Sequence, residues 1–274
     1  VEKWIQVETV TSEDVGAPDL VPLNEGGYRM YWDNGIGTMK GIGSAISPDG
    51  INFTIEEGIR LGEVEEGNEC TASHAWFTAE EEGYRMYYGG GCGHGEGGIF
   101  KIYTAFSTDG LNFGWEGISV DIGEENGLTH AGHGRIIQLE DGTYRMYFSA
   151  NFIDKPDVPA DILGASSTDG LNWVLDENPI FEMGHDPAVV EVGGQIHIYT
   201  TFLSENMVHL VSDDGYNFEL VAWMDFYQGD TRFKEFGNPE AFLLPDGDVA
   251  IYSSGLLEGE KTGVPGILIM KQEG

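Results

Sequence analysis

Basic residues are scarce: 13 Lys and Arg stand against 47 Asp and Glu, a formal net charge of −34 with a pI near 4.2. A field of that sign repels phosphate backbones and anionic lipid headgroups, so neither nucleic acid nor a membrane surface is expected as a partner. The acid surplus suits a salty or calcium-rich milieu, or serves solubility alone. Long apolar runs are missing too, which excludes a transmembrane helix. No segment keeps a helical period. Cysteine is limited to Cys70 and Cys92, so one internal disulfide is the most the chain can form. The repeat described below puts both at one end of an antiparallel pair, where a bridge can close. A bridge fits the expected extracellular or periplasmic location, and two free thiols fit the sequence equally. The chain opens at Val1 with neither an initiator Met nor a basic, apolar leader, which alone is uninformative.

What is present is a folded composition and a repeat. Hydrophobic residues make up 41% and aromatic residues 12% of the chain, enough for a buried core, and 41 glycines imply many turns. Tyr28-Arg29-Met30-Tyr31 recurs as Tyr84-Arg85-Met86-Tyr87 and Tyr144-Arg145-Met146-Tyr147, then degenerates to Ile196-His197-Ile198-Tyr199 and Val249-Ala250-Ile251-Tyr252. After each of the first four copies comes Ser-x-Asp-Gly-x-Asn-aromatic or nearly so: Ser47 to Phe53, Ser107 to Phe113, Ser167 to Trp173, and Ser212 to Phe218. Asp-Gly between two β-prone runs marks a tight turn, because Gly takes positive φ cheaply and Asp bonds back to its own backbone. In the first unit strands are expected near 18–24, 27–33, 40–47 and 51–56. The Tyr and Met side chains are expected to pack between units, and Arg29, Arg85 and Arg145 to anchor neighbouring units through carboxylates.

Tandem four-stranded antiparallel units cannot each cover both faces alone, so they stack radially as propeller blades. The expected fold is all-β: one domain over 1–274, a five-bladed propeller of four-stranded antiparallel blades. The fifth unit lacks an Asp-Gly turn and a fourth strand after its third strand near 264–271. Residues 3–10 are expected to supply that strand and close the ring, with Trp4 in the place of Phe53, Phe113 or Trp173.

The first residues of the innermost strands face the mouth of the central tunnel. Aligned there, a first column reads Pro18, His74, His133, His185 and Asn238, a second Asp19, Ala75, Gly134, Asp186 and Pro239, and a third Leu20, Trp76, Arg135, Pro187 and Glu240. Three imidazoles around a narrow axis suit Zn, Cu or Fe with an open position, Asn238 or Asp186 completing the shell; a polar, water-filled tunnel is the alternative. Trp76 at the mouth can stack on a sugar or fill the core. An ion pair with Arg135 would keep Glu240 charged. The Gly89 to Gly98 loop brings His94 near a ligand, the Asn151 to Asp161 loop carries Asp154, Asp157 and Asp161 as a rim or cation-binding segment, and Glu69 and His130 stand behind the site.

Gly16-Ala17-Pro18-Asp19-Leu20 followed by Gly27-Tyr28-Arg29-Met30-Tyr31, together with His185-Asp186-Pro187-Ala188-Val189 and Asn238-Pro239-Glu240-Ala241-Phe242, resembles the inner hairpins of the five-bladed propeller glycosidases, the superfamily of glycoside hydrolase families 43, 32, 68, 117 and 130. The resemblance implies a monomeric enzyme acting on an oligosaccharide or other small molecule, with Asp19 and Asp186 as base and pKa modulator and Glu240 as general acid. In the common family 43 arrangement the three carboxyls come from the first, third and fourth blades, and here from the first, fourth and fifth. The same resemblance implies a calcium or water cluster held near the axis by one His. Arg135, Asn238, Trp76 and His94 are then substrate-binding candidates, and His74, His133 and His185 metal candidates. Three readings follow: a glycoside hydrolase, a metal-centred enzyme acting on another small molecule, and a glycan- or cation-binding propeller without catalysis.

Overall fold

The computed structural model describes residues 1–10, 16–34, 41–61, 73–90, 101–156, 158–203, 206–261 and 264–273. Every regular element among them is a strand. The first set is β2 (Gly16–Pro22), β3 (Tyr28–Asn34), β4 (Gly41–Ser47) and β5 (Thr54–Ile55), close to the expected spans. The second is β6 (Ser73–Glu80), β7 (Gly83–Gly90), β8 (Lys101–Ser107) and β9 (Gly114–Val120), and the third β10 (Leu128–Gln138), β11 (Tyr144–Phe152), β12 (Asp161–Ser167) and β13 (Val174–Leu175). Each forms a separate four-stranded sheet.

The remaining strands share one eight-stranded sheet. It joins the fourth set, β14 (Gly184–Val192), β15 (Gln195–Phe202), β16 (Asn206–Ser212) and β17 (Glu219–Gln228), to the fifth, β18 (Thr231–Leu243), β19 (Val249–Leu257), β20 (Val264–Gln272) and β1 (Glu2–Thr9). The merger has a local cause: β17 and β18 run on past their sets and meet in a hairpin, Tyr227 opposite Arg232. The N-terminal strand behaves as expected, pairing antiparallel with β20 and also lying parallel to β17. Trp4 is buried edge-on to Tyr199 at 5.7 Å, as Phe113, Trp173 and Phe218 meet Tyr31, Tyr87 and Tyr147.

The repeated tetrapeptide and the repeated turn are two halves of one contact. In each Asp-Gly turn the Asp carboxylate accepts the amides two and three residues on, as Asp49 Oδ1 accepts Ile51 N and Asn52 N, which holds these carboxyls well below their usual range. The turn Gly carbonyl then accepts the Tyr hydroxyl of the preceding set: Tyr31 to Gly110, Tyr87 to Gly170 and Tyr147 to Gly215. Tyr252 of the fifth set bonds Gly50 of the first at 2.7 Å. Gly110 must be glycine twice over: its φ is +69°, and a Cβ would lie 2.8 Å from the Tyr31 hydroxyl oxygen.

The buried clusters lie between consecutive sets, and one of them, with Leu20, Met30, Tyr252 and Ile269, joins the last set to the first. The repeat arginines depart from expectation. Arg29 pairs with Glu56, Arg85 with Glu80 and Glu116, and Arg145 with Asp176, all within the arginine's own set. In the next set Arg29 reaches the Asp109 carbonyl, and Arg145 reaches the Gly215 carbonyl and lies over the Tyr216 ring at 4.2 Å. Glu56, Glu116 and Asp176 sit on the outer strands or beside them, and Glu80 ends the inner strand β6.

Tyr252→Phe leaves the Gly50 carbonyl buried and unpaired and is expected to lower unfolding free energy by about 1–2 kcal/mol. Trp4→Ala removes a full-sized core side chain and is expected to lose about 3–5 kcal/mol. Urea midpoints at constant slope measure both.

Candidate functional site

Every inner strand carries a kink, near the start of β2, β6 and β14 and inside the longer β10 and β18. Ala17, His74, His133, Asp186 and Asn238 each have φ between 47° and 55°, and in every set the pairing register shifts there. Two residues later come Asp19, Trp76, Arg135, Ala188 and Glu240, each opposite the last Tyr of its repeat. This corrects the sequence columns by one residue in the first and fourth sets. The reason is turn length: β2–β3, β10–β11 and β18–β19 share a longer turn closed by Leu23, Leu139 and Leu244, while β6–β7 and β14–β15 use the two-residue turns 81–82 and 193–194. Asp19 and Glu240 therefore share a level with Arg135, and Asp186 shares one with His74 and His133. His185 falls one residue outside it.

The upper level forms a pocket of about 220 Å3, open space above it included, lined by Ala17, His74, His133, Arg135, Asp186, Pro187, Asn238 and Pro239. The His74 and His133 rings lie against each other, 3.7 Å between centroids and tilted by 34°. His133 Nδ1 lies 2.8 Å from Asp186 Oδ1, and His185 Nδ1 3.1 Å from Asp186 Oδ2. Burial pushes the Asp186 carboxyl up, but the His133 charge and hydrogen bond, with those of His185, outweigh it and hold the group well below the usual carboxylate range. For His133, burial pulls down and Asp186 wins, leaving the imidazole above its ordinary value. His130, inside β10 and 6.4 Å from His133, is pushed down to about 4 by burial and then by the His133 charge.

The lower level is the pocket floor. Arg135 reaches across to the first and fifth sets, its Nη2 donating to the carbonyls of Pro18 and Pro239 and its Nε to Glu240 Oε2, with Asp19 Oδ1 at 3.4 Å. Phe77 N donates to Asp19 Oδ2 at 2.7 Å. All three charged groups are buried. Burial raises Asp19 to about 6 against the pull of Arg135, and raises Glu240 well above its ordinary value with help from the Asp19 charge. The expected Arg135–Glu240 contact is made, yet burial and Asp19 prevail over it. Burial and the proximity of the two acids thus both favour a shared proton over two full negative charges beside the single guanidinium.

Several candidates stand elsewhere. Trp76 is buried beneath Gly134, whose missing Cβ leaves room for the indole, and it stacks with Tyr87 in the core, not in the pocket. The three histidines do not fit a three-imidazole metal centre as arranged: the His74 and His133 rings lie against each other at a tilt of 34°, and the Nδ1 atoms of His133 and His185 are turned to Asp186. Among the described residues no group of three or more His, Cys, Asp or Glu could hold a metal ion. Asp161 takes a cation from the chain itself, Lys155 Nζ at 3.1 Å, and also accepts Met183 N. Glu69, Cys70, Cys92, His94 and Asp157 lie outside the described residues.

Two residues escaped sequence reading. Asp33 and Ser149 sit two positions after Tyr31 and Tyr147, accepting His74 N at 2.7 Å and Asp186 N at 2.9 Å. The signal was a column just past the repeat, Asp33, Gly89, Ser149, Thr201 and Ser254. Burial pushes Asp33 up to about 7 against the His74 amide, and its Oδ1 is buried with no hydrogen-bond partner among the described residues. A carboxyl raised on folding adds stability below its unfolded pKa near 4 that is lost as pH rises through 7. Asp33→Asn should remove that share of the decline. From pH 5 to pH 8 the parent is expected to lose about 1–3 kcal/mol more than the variant in urea unfolding.

No protein-family model and no curated protein matches the sequence. Solved structures match by shape. Zg3597, a family 117 glycoside hydrolase produced by the marine bacterium Zobellia galactanivorans, superposes with a TM-score of 0.74 at 13% identity over 98% of this chain and 89% of its own. A thermostable family-43 glycoside hydrolase gives 0.67 at 17% identity over 98% of this chain and 96% of its own. The sucrose-6-phosphate hydrolase of Lactobacillus gasseri gives 0.73 at 14% identity over 97% of this chain and 60% of its own. The chain has the fold of the propeller glycoside hydrolases.

Proposed function

We propose that this chain is a five-bladed propeller, monomeric and exported, that hydrolyses a glycan in the pocket above Arg135. The reading is carried by a pair of carboxyl groups at adjoining levels of one site whose surroundings pull them in opposite directions: Asp186 is held low beside two imidazoles, and Glu240 is raised by burial and a second carboxyl. Glycoside hydrolysis needs that combination, one carboxyl to protonate the leaving oxygen and one carboxylate to activate water or attack. In this reading Glu240 is the acid, Asp186 the base or nucleophile, and Asp19 the neighbour that keeps the Glu240 proton in place. Asn238 and His74 are the polar groups left on the pocket wall to orient a sugar. Five sets in cyclic contact, the fifth bonded back to the first through Tyr252, support the ring. The shared fold of family 117 and family 43 hydrolases supports the substrate class.

Purified protein assayed on a panel of oligosaccharides should release a reducing sugar. Glu240→Gln and Asp186→Asn are each expected to lower kcat/KM about 10²–10⁴-fold in protein that still melts cooperatively. Turnover unchanged in both variants would sink the assignment, and glycan binding without any product would move the chain to the binding modules.

The pH profile follows from the same directions. Activity requires Asp186 ionised and Glu240 protonated, so it should persist well into acid and fall on the alkaline side. An acid limb at the ordinary carboxylate value would contradict the Asp186 role.

A further inference from the structure

All five kink residues of the inner strands hold the same left-handed conformation, so that conformation alone does not explain why two of them are tied down from the neighbouring set. His74 N is accepted by Asp33 of the first set and Asp186 N by Ser149 of the third. At the matching position the second set has Gly89, which has no side chain to offer to His133. In the fourth set Thr201 Oγ1 donates instead to its own set's His185 carbonyl at 2.6 Å, and in the fifth Ser254 Oγ donates to the Gly237 carbonyl at 3.4 Å. The two cross-set ties thus flank a single ring. His74 lies over the face of His133, and Asp186 meets its Nδ1.

We propose that Asp33 and Ser149 are positioning residues that hold His74 over the ring face of His133 and Asp186 at its Nδ1, fixing the imidazole between two neighbouring sets. The inference goes beyond the hydrolase reading, since Asp33 and Ser149 carry no chemical role in it and reach the pocket residues His74 and Asp186 through their backbone amides. Its logic is that of a vice with separate jaws. Each tie is one hydrogen bond to a backbone amide, and each locates a different contact of the same ring. A small displacement of such a ring is expensive for whatever chemistry depends on it, because misplacement on the order of 1 Å can lower rates about 10²-fold.

The test uses Asp33→Ala, Asp33→Asn, Ser149→Ala and Ser149→Thr in the full chain, with backbone amide and imidazole resonances read by NMR and folding checked by thermal melts. Asp33→Ala should move the His74 amide and the His133 ring signals and leave the Asp186 amide in place. Ser149→Ala should do the reverse, moving Asp186 and His133 and sparing His74. Asn at 33 and Thr at 149 keep an oxygen acceptor and should restore the parent positions. On any glycan the parent turns over, the Ala variants should lose about tenfold or more in kcat/KM and the conservative variants should recover most of it. If His133 stays put in both Ala variants, or if signals shift alike across both sets, the proposal is overturned. The spectra need no substrate, so that result is separable from failure of the hydrolase assignment.

Discussion

The hydroxyl of one tyrosine per repeat, bonded to the glycine carbonyl of the next set's turn, is the contact on which the architecture rests. A single four-stranded sheet leaves both faces wet, and neighbouring sheets must therefore meet at a fixed angle and height. The Tyr–Gly bond sets that height at the outer end of each interface, and the aromatic after the turn packs edge-on to the same tyrosine. The ring closes because Tyr252 finds Gly50. Only the fourth set lacks a following Asp-Gly turn, and there Trp4 of β1 meets Tyr199. A strand from the opposite end of the chain thus supplies the aromatic half of a contact whose turn is missing.

Registration at the outer end transmits to the centre. With each second-strand tyrosine located, the residue opposite it on the inner strand is located too, so Asp19, Arg135 and Glu240 arrive at one height from three different sets. Arginine is the natural occupant of such a crossing, since its flat fork can serve backbone carbonyls of two sets and carboxylates of the same two. Buried charges usually need a partner apiece, and here one cation faces two acids. Burial and the second acid both raise Glu240, the direction that lessens the net buried charge of the trio.

The repeat, the closing N-terminal strand, the role of Trp4 and the tight Asp-Gly turns were all legible in the sequence, because each depends on short-range pattern or on a period that recurs. The site was legible only in outline. Asp19, His74, His133, Arg135, Asp186, Asn238 and Glu240 do gather at one end of the inner strands. Their levels were misjudged because a one-residue difference in a distant hairpin turn slides a whole strand, and imidazoles look alike in a column whether or not they share a register. Asp33 was missed for a different reason. Its significance lies in an amide of another set, 41 residues away along the chain. The arginine partners were missed because six arginines in an acid-rich chain have many eligible carboxylates, and only geometry selects among them.

Two carboxyl groups of the site differ less in chemistry than in company. Asp186 and Glu240 are both buried or nearly so, and burial alone would keep both protonated. What separates them is the company within reach: Asp186 has the Nδ1 atoms of His133 and His185 at its two oxygens, whereas Glu240 must share one guanidinium with Asp19. The division requires no special residue, only that histidines stand at the upper level and a second acid at the lower. The kink in each inner strand produces that layering, since it turns successive side chains to two heights over the same centre. The opposite pulls on these two carboxyls are thus a consequence of where the strands bend, and the bends are common to all the sets.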